Sequence, residues 1–499
     1  PATVTLAAGG SADVVVTVDS RGDTPDGAYT GALIATGGDL RVVTPIAIER
    51  EPESYDLTLR ALDGTGAPAL AFVQLSPGSL RSRIVDGETT LRLLRGNYVL
   101  SAAVLGADVS FLAYPGLVLT GDASVVLDGQ RARPFAVTIP GQPLDVTSVG
   151  WLFFDARNDR IFSEFGLGVD VRAGHLGPEV APDAFVSWAW TTALPVGTPT
   201  DGVKEVYQLA RVERGHMITG WSQVINEREL ATVQARQAGE DGVIYEKGSI
   251  ALVEDRGVLR DSLLLGFFPV IGPFERTEHY YGSGVRWEQV SFDSRETDDD
   301  SGFPDTVATE RLIRSYRPGQ HTVELWNQAP FGPAFAERLV APTSFTALRL
   351  LPTASRTGNT LRLEPSMVSG QGSPAHRVDT TVSQQRSALF RNGVLIAEQI
   401  DPDDPLPTTD VPPGTATYRF EQEVTRPEAL FPLSTHVAAA WTFRSQRISD
   451  EERVLPLPTL RFQPRLDDHN RSTARVALMQ VAIERPPGAP TPRIAHARI

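Results

Sequence analysis

The sequence predicts an all-β protein, built as an array of antiparallel β-sandwich domains with little helix. The main observation is an alternation of apolar and polar residues over stretches of five to eight positions, repeated nearly from end to end. Leu57 and Leu59, for example, share one face of a strand, while Asp56 and Thr58 take the other. Turns rich in Gly, Pro and Asp separate these stretches, as expected for short strands joined by tight connections.

Length and composition limit the class of protein. A chain of 499 residues is long enough for about three or four domains, each with its own core. Cysteine is absent, which excludes disulfides, thiolate metal sites and a thiol nucleophile. The 46 basic and 61 acidic residues give a net charge of -15, so we expect no nucleic-acid partner. The longest apolar run, residues 263–274, contains two glycines and two prolines and is too short for a membrane span.

Residues 1–50 are predicted to form part of an immunoglobulin- or fibronectin-like β-domain. They contain four short strand patterns, separated by turns at residues 8–10, 19–26 and 37–39. The first residues lead directly into such a pattern and show no signal peptide. We therefore expect an internal or processed piece of a longer polypeptide.

Residues 51–143 are predicted to form a second sandwich, after a charged hinge that carries Pro52. The step from Leu94 through Gly96 to Tyr98 is a strand, a turn and a new strand, and it resembles a step of prealbumin-like and carboxypeptidase-regulatory-like sandwiches. The predicted strands cover residues 55–63, 70–75, 89–94, 98–104, 116–119, 124–128 and 135–139.

The rest of the chain is divided into a Trp-rich β-domain, residues 144–336, and a C-terminal β-sandwich, residues 337–499. The Trp-rich part holds six of the seven tryptophans and is the least regular. Within it, residues 203–211 and 226–236 fit short helices or strands. In the C-terminal part, Asn392-Gly393 between two apolar runs is the strongest hairpin signal of the chain.

An aromatic cluster supplies the candidate binding residues. Tyr280 and Tyr281 precede the turn at residues 282–284 and Trp287 follows it, so we expect two aromatic strands side by side. If exposed, these rings and Trp326 would stack on a sugar or a peptide. If buried, they are ordinary core, and period-two placement favours that alternative.

One acidic loop is a candidate for calcium. Asp298, Asp300 and Asp305 offer hard oxygen ligands around a glycine turn. The loop lacks the spacing of an EF-hand, and carboxylates at consecutive positions of an extended chain point in alternating directions. We therefore favour a solvated acidic loop and predict no cofactor or metal.

No catalytic motif of a known hydrolase class is present. The eight histidines are far apart, and the sequence contains neither a Gly-x-Ser-x-Gly elbow, a His-Glu-x-x-His motif nor a phosphate loop. The Asp, His and Ser motifs of a subtilisin-type triad are also missing. We predict no catalytic residue within this segment.

Five short segments follow one another from about residue 50 to the end of the chain. They are residues 53–58, 125–134, 276–287, 324–333 and 432–445. In this order they resemble the long C-terminal region of large secreted subtilisin-like serine proteases, the S8 family, of actinobacteria.

This resemblance implies an extracellular accessory segment whose partner is an upstream protease domain of the same polypeptide. The parent would be a serine endopeptidase, and this segment would position substrate, space or stabilise. One alternative is a carbohydrate or cell-wall binding module that takes a polysaccharide or protein substrate. A second alternative is a structural spacer or an adhesin-like stalk.

Overall fold

The structure is a computed structural model in which the all-β prediction is confirmed. It describes residues 3–19, 25–76, 81–157, 159–168, 170–181, 184–260, 266–295, 305–341, 347–373, 375–401, 408–473, 475–476 and 478–491. Strands make up 62% of the chain, and no helix reaches seven residues. Two short 3₁₀ turns, Gly129–Arg131 and Glu227–Glu229, interrupt the strands. Among the described residues, no helix is long and apolar enough to cross a bilayer.

The first fifty residues form a single hairpin of β1 (Gly27–Gly37) and β2 (Leu40–Arg50). Its register places Tyr29 opposite Ile48 and Leu33 opposite Thr44, so one face is rich in apolar side chains. Residues 3–19 form no strand, in contrast to the prediction of four strands in this part. These residues are exposed, so their alternating pattern buries no face.

The second part of the chain supplies a three-stranded sheet, β6-β3-β9, called sheet 1. It also supplies five strands of a seven-stranded sheet, β16-β10-β13-β8-β7-β4-β5, called sheet 2. The strands are β3 (Ser54–Leu62), β4 (Leu70–Ser76), β5 (Arg81–Asp86), β6 (Glu88–Leu94), β7 (Gly96–Leu105), β8 (Val109–Leu119), β9 (Ala123–Asp128) and β10 (Arg133–Thr138).

The Trp-rich part builds sheet 3, β12-β11-β14-β15-β21-β17-β24, and most of sheet 4, β19-β18-β22-β23-β31. Its strands are β11 (Leu144–Asp155), β12 (Arg160–Leu167), β13 (Val171–His175), β14 (Phe185–Pro195), β15 (Glu205–Arg214), β16 (Trp221–Val224), β17 (Ala231–Gln237), β18 (Ile244–Asp255), β19 (Val258–Arg260), β20 (Phe268–Ile271), β21 (Phe274–Tyr281), β22 (Val285–Arg295), β23 (Asp305–Arg314) and β24 (His321–Trp326).

The C-terminal part packs a four-stranded sheet, β34-β29-β28-β37, against another, β33-β32-β35-β36. Its strands are β26 (Arg338–Val340), β27 (Arg349–Leu351), β28 (Ala354–Thr357), β29 (Thr360–Leu363), β30 (Ser366–Ser369), β31 (Arg377–Thr380), β32 (Gln384–Arg391), β33 (Val394–Ile400), β34 (Thr408–Asp410), β35 (Ala416–Thr425), β36 (His436–Ser445), β37 (Arg453–Val454), β38 (Thr459–Pro464) and β39 (Met479–Glu484). Strand β25 (Gly332–Ala334) lies at the end of the Trp-rich part and pairs with β30.

Sheets 1 to 4 stack as consecutive layers, because each core joins residues of two neighbouring sheets. Sheets 2 and 3 are therefore covered on both faces, and ten of the eleven residues of β14 are buried. The pairs that mark the three cores are Leu57 with Leu100, Phe111 with Trp151, and Trp188 with Trp287.

The sheets do not break at the predicted domain boundaries. Strands β13 and β16 lie after residue 143 but pair with β8 and β10 of sheet 2. Likewise β31 lies after residue 336 and pairs with β23 of sheet 4. Five strand pairings within the described residues are parallel, namely β3–β9, β8–β13, β10–β16, β15–β21 and β17–β24.

Of two local predictions, one is wrong and the other is confirmed. Residues 203–211 and 226–236 form strands β15 and β17 and a 3₁₀ turn, so the helical alternative is wrong. The predicted hairpin at Asn392-Gly393 is confirmed, with Arg391 paired to Val394. Both turn residues have positive φ, 50° and 82°, as a tight hairpin turn requires.

Candidate functional site

The turn at residues 282–284 connects two sheets instead of two neighbouring strands. Strand β21 pairs with β15 and β17 in sheet 3, whereas β22 pairs with β18 and β23 in sheet 4. The prediction of two aromatic strands side by side is therefore wrong. Tyr280 and Trp287 instead meet across the space between the sheets, with ring centroids 5.3 Å apart.

Most of the candidate aromatic residues lie in the core. Tyr280 and Trp287 are each 2% exposed, and Trp326 is fully buried. Tyr281 is partly buried on the opposite face of sheet 3, where its ring lies 6.4 Å from that of Trp221. Three of the four residues are thus buried, and Tyr281 alone among the four is partly exposed.

Three charged residues occupy the space between sheets 3 and 4. The Lys247 Nζ donates to both carboxylate oxygens of Glu278, at 2.8 and 2.9 Å, and to the Gln289 side chain at 2.9 Å. Arg276 donates to the same Glu278 at 2.7 and 3.0 Å. Lys247 is 0% exposed and the two other charged residues are 1% exposed. We call Lys247, Arg276, Glu278 and Gln289 the buried network.

The two cations of the buried network stabilise the ionised form of its carboxylate. Burial by itself would raise the pKa of Glu278, but the Lys247 and Arg276 cations outweigh it and hold the pKa of its carboxyl at about 2. Burial also lowers the pKa of the Lys247 ammonium, against the opposing effect of the Glu278 charge. Three acceptor atoms surround Nζ, one for each N–H of a charged ammonium. We therefore infer that Lys247 and Glu278 are both ionised.

Two of the predicted aromatic residues form walls of the buried network. The Lys247 Nζ lies 4.4 Å from the centroid of the Trp326 ring, within the range of a cation–π contact. The Tyr280 hydroxyl donates to Glu278 at 2.7 Å, and burial raises the pKa of that phenol. Their role in the structure is thus to enclose a buried charge pair.

An open cleft lies beside residues 282–284. Its volume is about 770 Å³, and both Tyr281 and Tyr316 line it. Tyr316 donates to Glu324 at 2.7 Å and accepts a hydrogen bond from Gln289, which connects the cleft to the buried network. We call this the 282–284 cleft.

The 282–284 cleft is locally cationic on an acidic protein. Four arginines and two glutamates line it, giving a formal local charge of 4 − 2 = +2 against -15 for the chain. Arg286 pairs with Glu254 at 3.3 Å, so part of this charge is compensated. Such a local field favours an anionic ligand. The charged residues are Arg214, Arg256, Arg286, Arg317, Glu229 and Glu254.

A hydroxyl, an imidazole and a carboxylate lie in a row on sheet 3. The Thr232 Oγ1 is 3.4 Å from Nδ1 of His279, whose Nε2 is 3.0 Å from Oε1 of Glu205. Tyr207 stacks on the imidazole with ring centroids 4.4 Å apart. The row follows from strand register, since Thr232, His279 and Tyr207 are cross-strand neighbours. These residues are not among those that line the 282–284 cleft.

The calcium candidates are only partly described. Asp305 is exposed at the start of β23, while Asp298 and Asp300 lie outside the described residues. Elsewhere in the described chain, Asp467, Asp468 and His469 bring ligand atoms within 4.8 Å of one another. The Asp467 carboxylate accepts the backbone N–H groups of His469 and Arg471, which is the geometry of a loop held by its own side chain.

Comparisons with known proteins identify no family for this chain. No protein-family model matches it, and a search of curated proteins gives no match. Among solved structures, it is similar to a Salmonella alpha-2-macroglobulin mutant at 10% identity, over 90% of this chain and 35% of that one. The TM-score is 0.11, which is too low to support an assignment of fold or function.

Sequence reasoning missed the buried network, although one signal for it was present. Only two lysines occur in the chain, and Lys247 shares a strand face with Tyr245, Ala251 and Val253. A lone lysine on an apolar face requires a buried anion as partner. Glu278 supplies it from another sheet, and nothing in the local sequence of β18 indicates that pairing.

Proposed function

We propose that this chain is a non-catalytic accessory segment of a secreted subtilisin-like serine endopeptidase, in which it positions substrate, spaces or stabilises. The five sequence segments that resemble the S8 family support the parent enzyme. The location of the buried network supports the accessory role. Its lysine, arginine and glutamate cross-link two sheets and have no contact with solvent that would let them reach a substrate.

The proposal is tested by incubating the 499-residue chain with fluorescent casein and a serine-reactive fluorophosphonate probe. We expect no hydrolysis and no labelled serine. Casein hydrolysis that is lost in the His279→Ala and Thr232→Val variants would contradict the proposal and would assign catalysis to the row on sheet 3. Hydrolysis that survives both substitutions would contradict it as well.

A second function is favoured by the 282–284 cleft, namely binding of an acidic polysaccharide. Partly exposed Tyr281 and Tyr316 provide ring surface, and the surrounding arginines provide positive charge. Affinity electrophoresis in polygalacturonate should retard the chain, whereas neutral dextran should not. Substituting Arg286→Gln and Arg317→Gln together should remove the retardation, while Arg453→Gln at an exposed position outside the cleft should not. Equal retardation by both polymers would contradict this function.

A further inference from the structure

A second cavity lies where the Trp-rich part meets the C-terminal part. Its volume is about 270 Å³, the scale of one amino-acid residue, and segments from both parts line it. We call it the junction cavity. Its charged and aromatic lining includes Glu240, Asp293, Arg295, Phe331, Arg426 and Phe431.

Arg426 is the unusual residue of the junction cavity. It is 4% exposed, and among the described residues no carboxylate forms a salt bridge with it. Its Nε and Nη2 donate to the backbone carbonyls of Ser434 and Leu433. Burial, aided by the nearby Arg295, lowers the pKa of its guanidinium to about 10, so it remains charged at neutral pH.

A buried cation is costly, and the nearby Asp293 carboxylate, which is bridged to Arg295, offsets part of that cost without a direct ion pair to Arg426. The guanidinium carbon lies 4.4 Å from the centroid of Phe431 and 5.0 Å from that of Phe331. The Nη1 group has no hydrogen-bond acceptor among the described residues, and it is not among the atoms that are shielded from solvent. It can therefore donate to an anion that enters the cavity.

The surrounding charges select the type of anion. Arg295 is already paired with Asp293 at 3.0 Å and with Glu240 at 3.0 Å. These two carboxylates repel a doubly charged ligand more strongly than a singly charged one. The aromatic rings of Phe331 and Phe431 favour an apolar group beside the anion.

The cavity is held in shape by hydrogen bonds between separate segments. The Asn470 side chain accepts from the Ala329 N–H and donates to the Asn327 carbonyl, at 2.9 and 3.0 Å. The Ser434 hydroxyl accepts from the Phe331 N–H at 3.1 Å. Asn327, Ser434 and Asn470 also have positive φ, a conformation that non-glycine residues adopt rarely and that concentrates at binding sites.

We propose that the junction cavity binds the terminal carboxylate of a peptide whose last residue carries an apolar side chain. The Arg426 guanidinium pairs with the carboxylate, and the two phenylalanine rings contact the terminal side chain. This inference needs no upstream protease and is independent of the proposed function.

Fluorescence anisotropy tests it with a labelled peptide that ends in leucine, used as the free acid and as the C-terminal amide. The acid should bind at least tenfold more tightly than the amide. N-acetyl-leucine should compete and acetate should compete poorly, which would attribute recognition to the terminal residue rather than to any carboxylate. Equal affinity for acid and amide, or competition by inorganic phosphate stronger than by N-acetyl-leucine, would overturn the proposal.

Substitutions in the junction cavity test whether the peptide binds there. Arg426→Gln should weaken binding of the acid at least tenfold, and Arg444→Gln, an exposed arginine of β36, should leave it unchanged. Since Arg426 also binds its own loop, Arg471→Gln serves as a second variant at an exposed cavity residue and should weaken binding severalfold. Unchanged binding in both cavity variants would overturn the proposal.

Discussion

Lys247 shows how one buried side chain determines the chemistry of its surroundings. Its ammonium lies between two sheets, pairs with Glu278 and contacts the Trp326 ring. Removing one member of such a pair leaves an uncompensated charge in the core, which is more damaging than replacing the whole pair. The residue is therefore a structural cross-link, although lysine is often a reactive group in exposed or half-buried sites.

The first prediction compares the only two lysines of the chain. Lys247→Met should lower the free energy of unfolding by about 3–5 kcal/mol, because Glu278 loses one of its two cationic partners in the core. Lys204→Met is the matched control at an exposed position and should change it by less than about 0.5 kcal/mol. Urea denaturation followed by tryptophan fluorescence gives both values. Similar values for the two variants would contradict the structural role of Lys247.

Glu164 is a buried carboxyl that forms no salt bridge within the described part of the chain. Burial raises its pKa to about 7, and a 2.9 Å hydrogen bond from Ser101 only partly opposes this. A raised carboxyl pKa stabilises the folded state relative to the unfolded state at low pH. This stabilisation is complete below the unfolded pKa near 4.5 and is lost as pH rises through about 7.

The second prediction concerns the stability of a Glu164→Gln variant at two pH values. At pH 8.5, Glu164→Gln should raise the free energy of unfolding by up to about 3 kcal/mol, because the native carboxyl is then ionised in the core. At pH 4 the two proteins should have similar stability. Glu428→Gln, at an exposed position, should show no such pH dependence. Thermal unfolding at both pH values measures the difference, and a destabilised Glu164→Gln protein at pH 8.5 would contradict the assignment.

At the scale of elements, the period-two pattern located most strands of the second part and the correct face of Leu57 and Leu59. Asn392-Gly393 also predicted its turn correctly, since a two-residue hairpin depends on local conformation. The pattern could not show that β21 and β22 belong to different sheets. Period two determines which residues share a face, but not which distant strand pairs with them or which sheet covers them.

The third prediction concerns the hairpin of β32 and β33. Gly393 has φ +82°, and an added Cβ would meet no atom within 4 Å, so Gly393→Ala tests the backbone alone. It should lower the free energy of unfolding by about 1–2 kcal/mol. Gly414→Ala, whose Cβ would approach only Arg391 at 4.0 Å, is the control without positive φ and should be close to neutral. Equal urea midpoints for the two variants would contradict the positive φ of Gly393.

At the scale of the whole molecule, the sequence predicted the class of fold, but it could not predict which strands pair across the predicted domain boundaries. Composition and periodicity indicate strands everywhere, and they carry no information on pairing across long sequence separations. Strand β13, for instance, pairs in parallel with β8 from the other side of the predicted boundary at residue 143. For the same reason, the cleft and the junction cavity were not predicted, because their walls come from distant segments.

The fourth prediction concerns a fragment that ends at the predicted boundary at residue 143, across which strands of sheet 2 pair. A fragment of residues 51–143 lacks β13 and β16, which leaves β8 and β10 without those partners and uncovers one face of sheet 2. It should therefore fail to fold cooperatively, whereas residues 51–499, which contain every strand of sheets 1 to 4, should unfold in a sharp transition. Circular dichroism with thermal melting distinguishes the two. A cooperative melt of the short fragment would show that the boundary at residue 143 separates independent domains.

The central claim is that this chain binds or supports and does not catalyse. Intact-mass spectrometry after prolonged exposure to a fluorophosphonate, at neutral pH and in excess, tests it most directly. We predict that the mass of the native 499-residue chain stays unchanged, while an active serine protease treated in parallel gains one label per molecule. A single stoichiometric label on the native chain, absent after unfolding in urea, would contradict the claim.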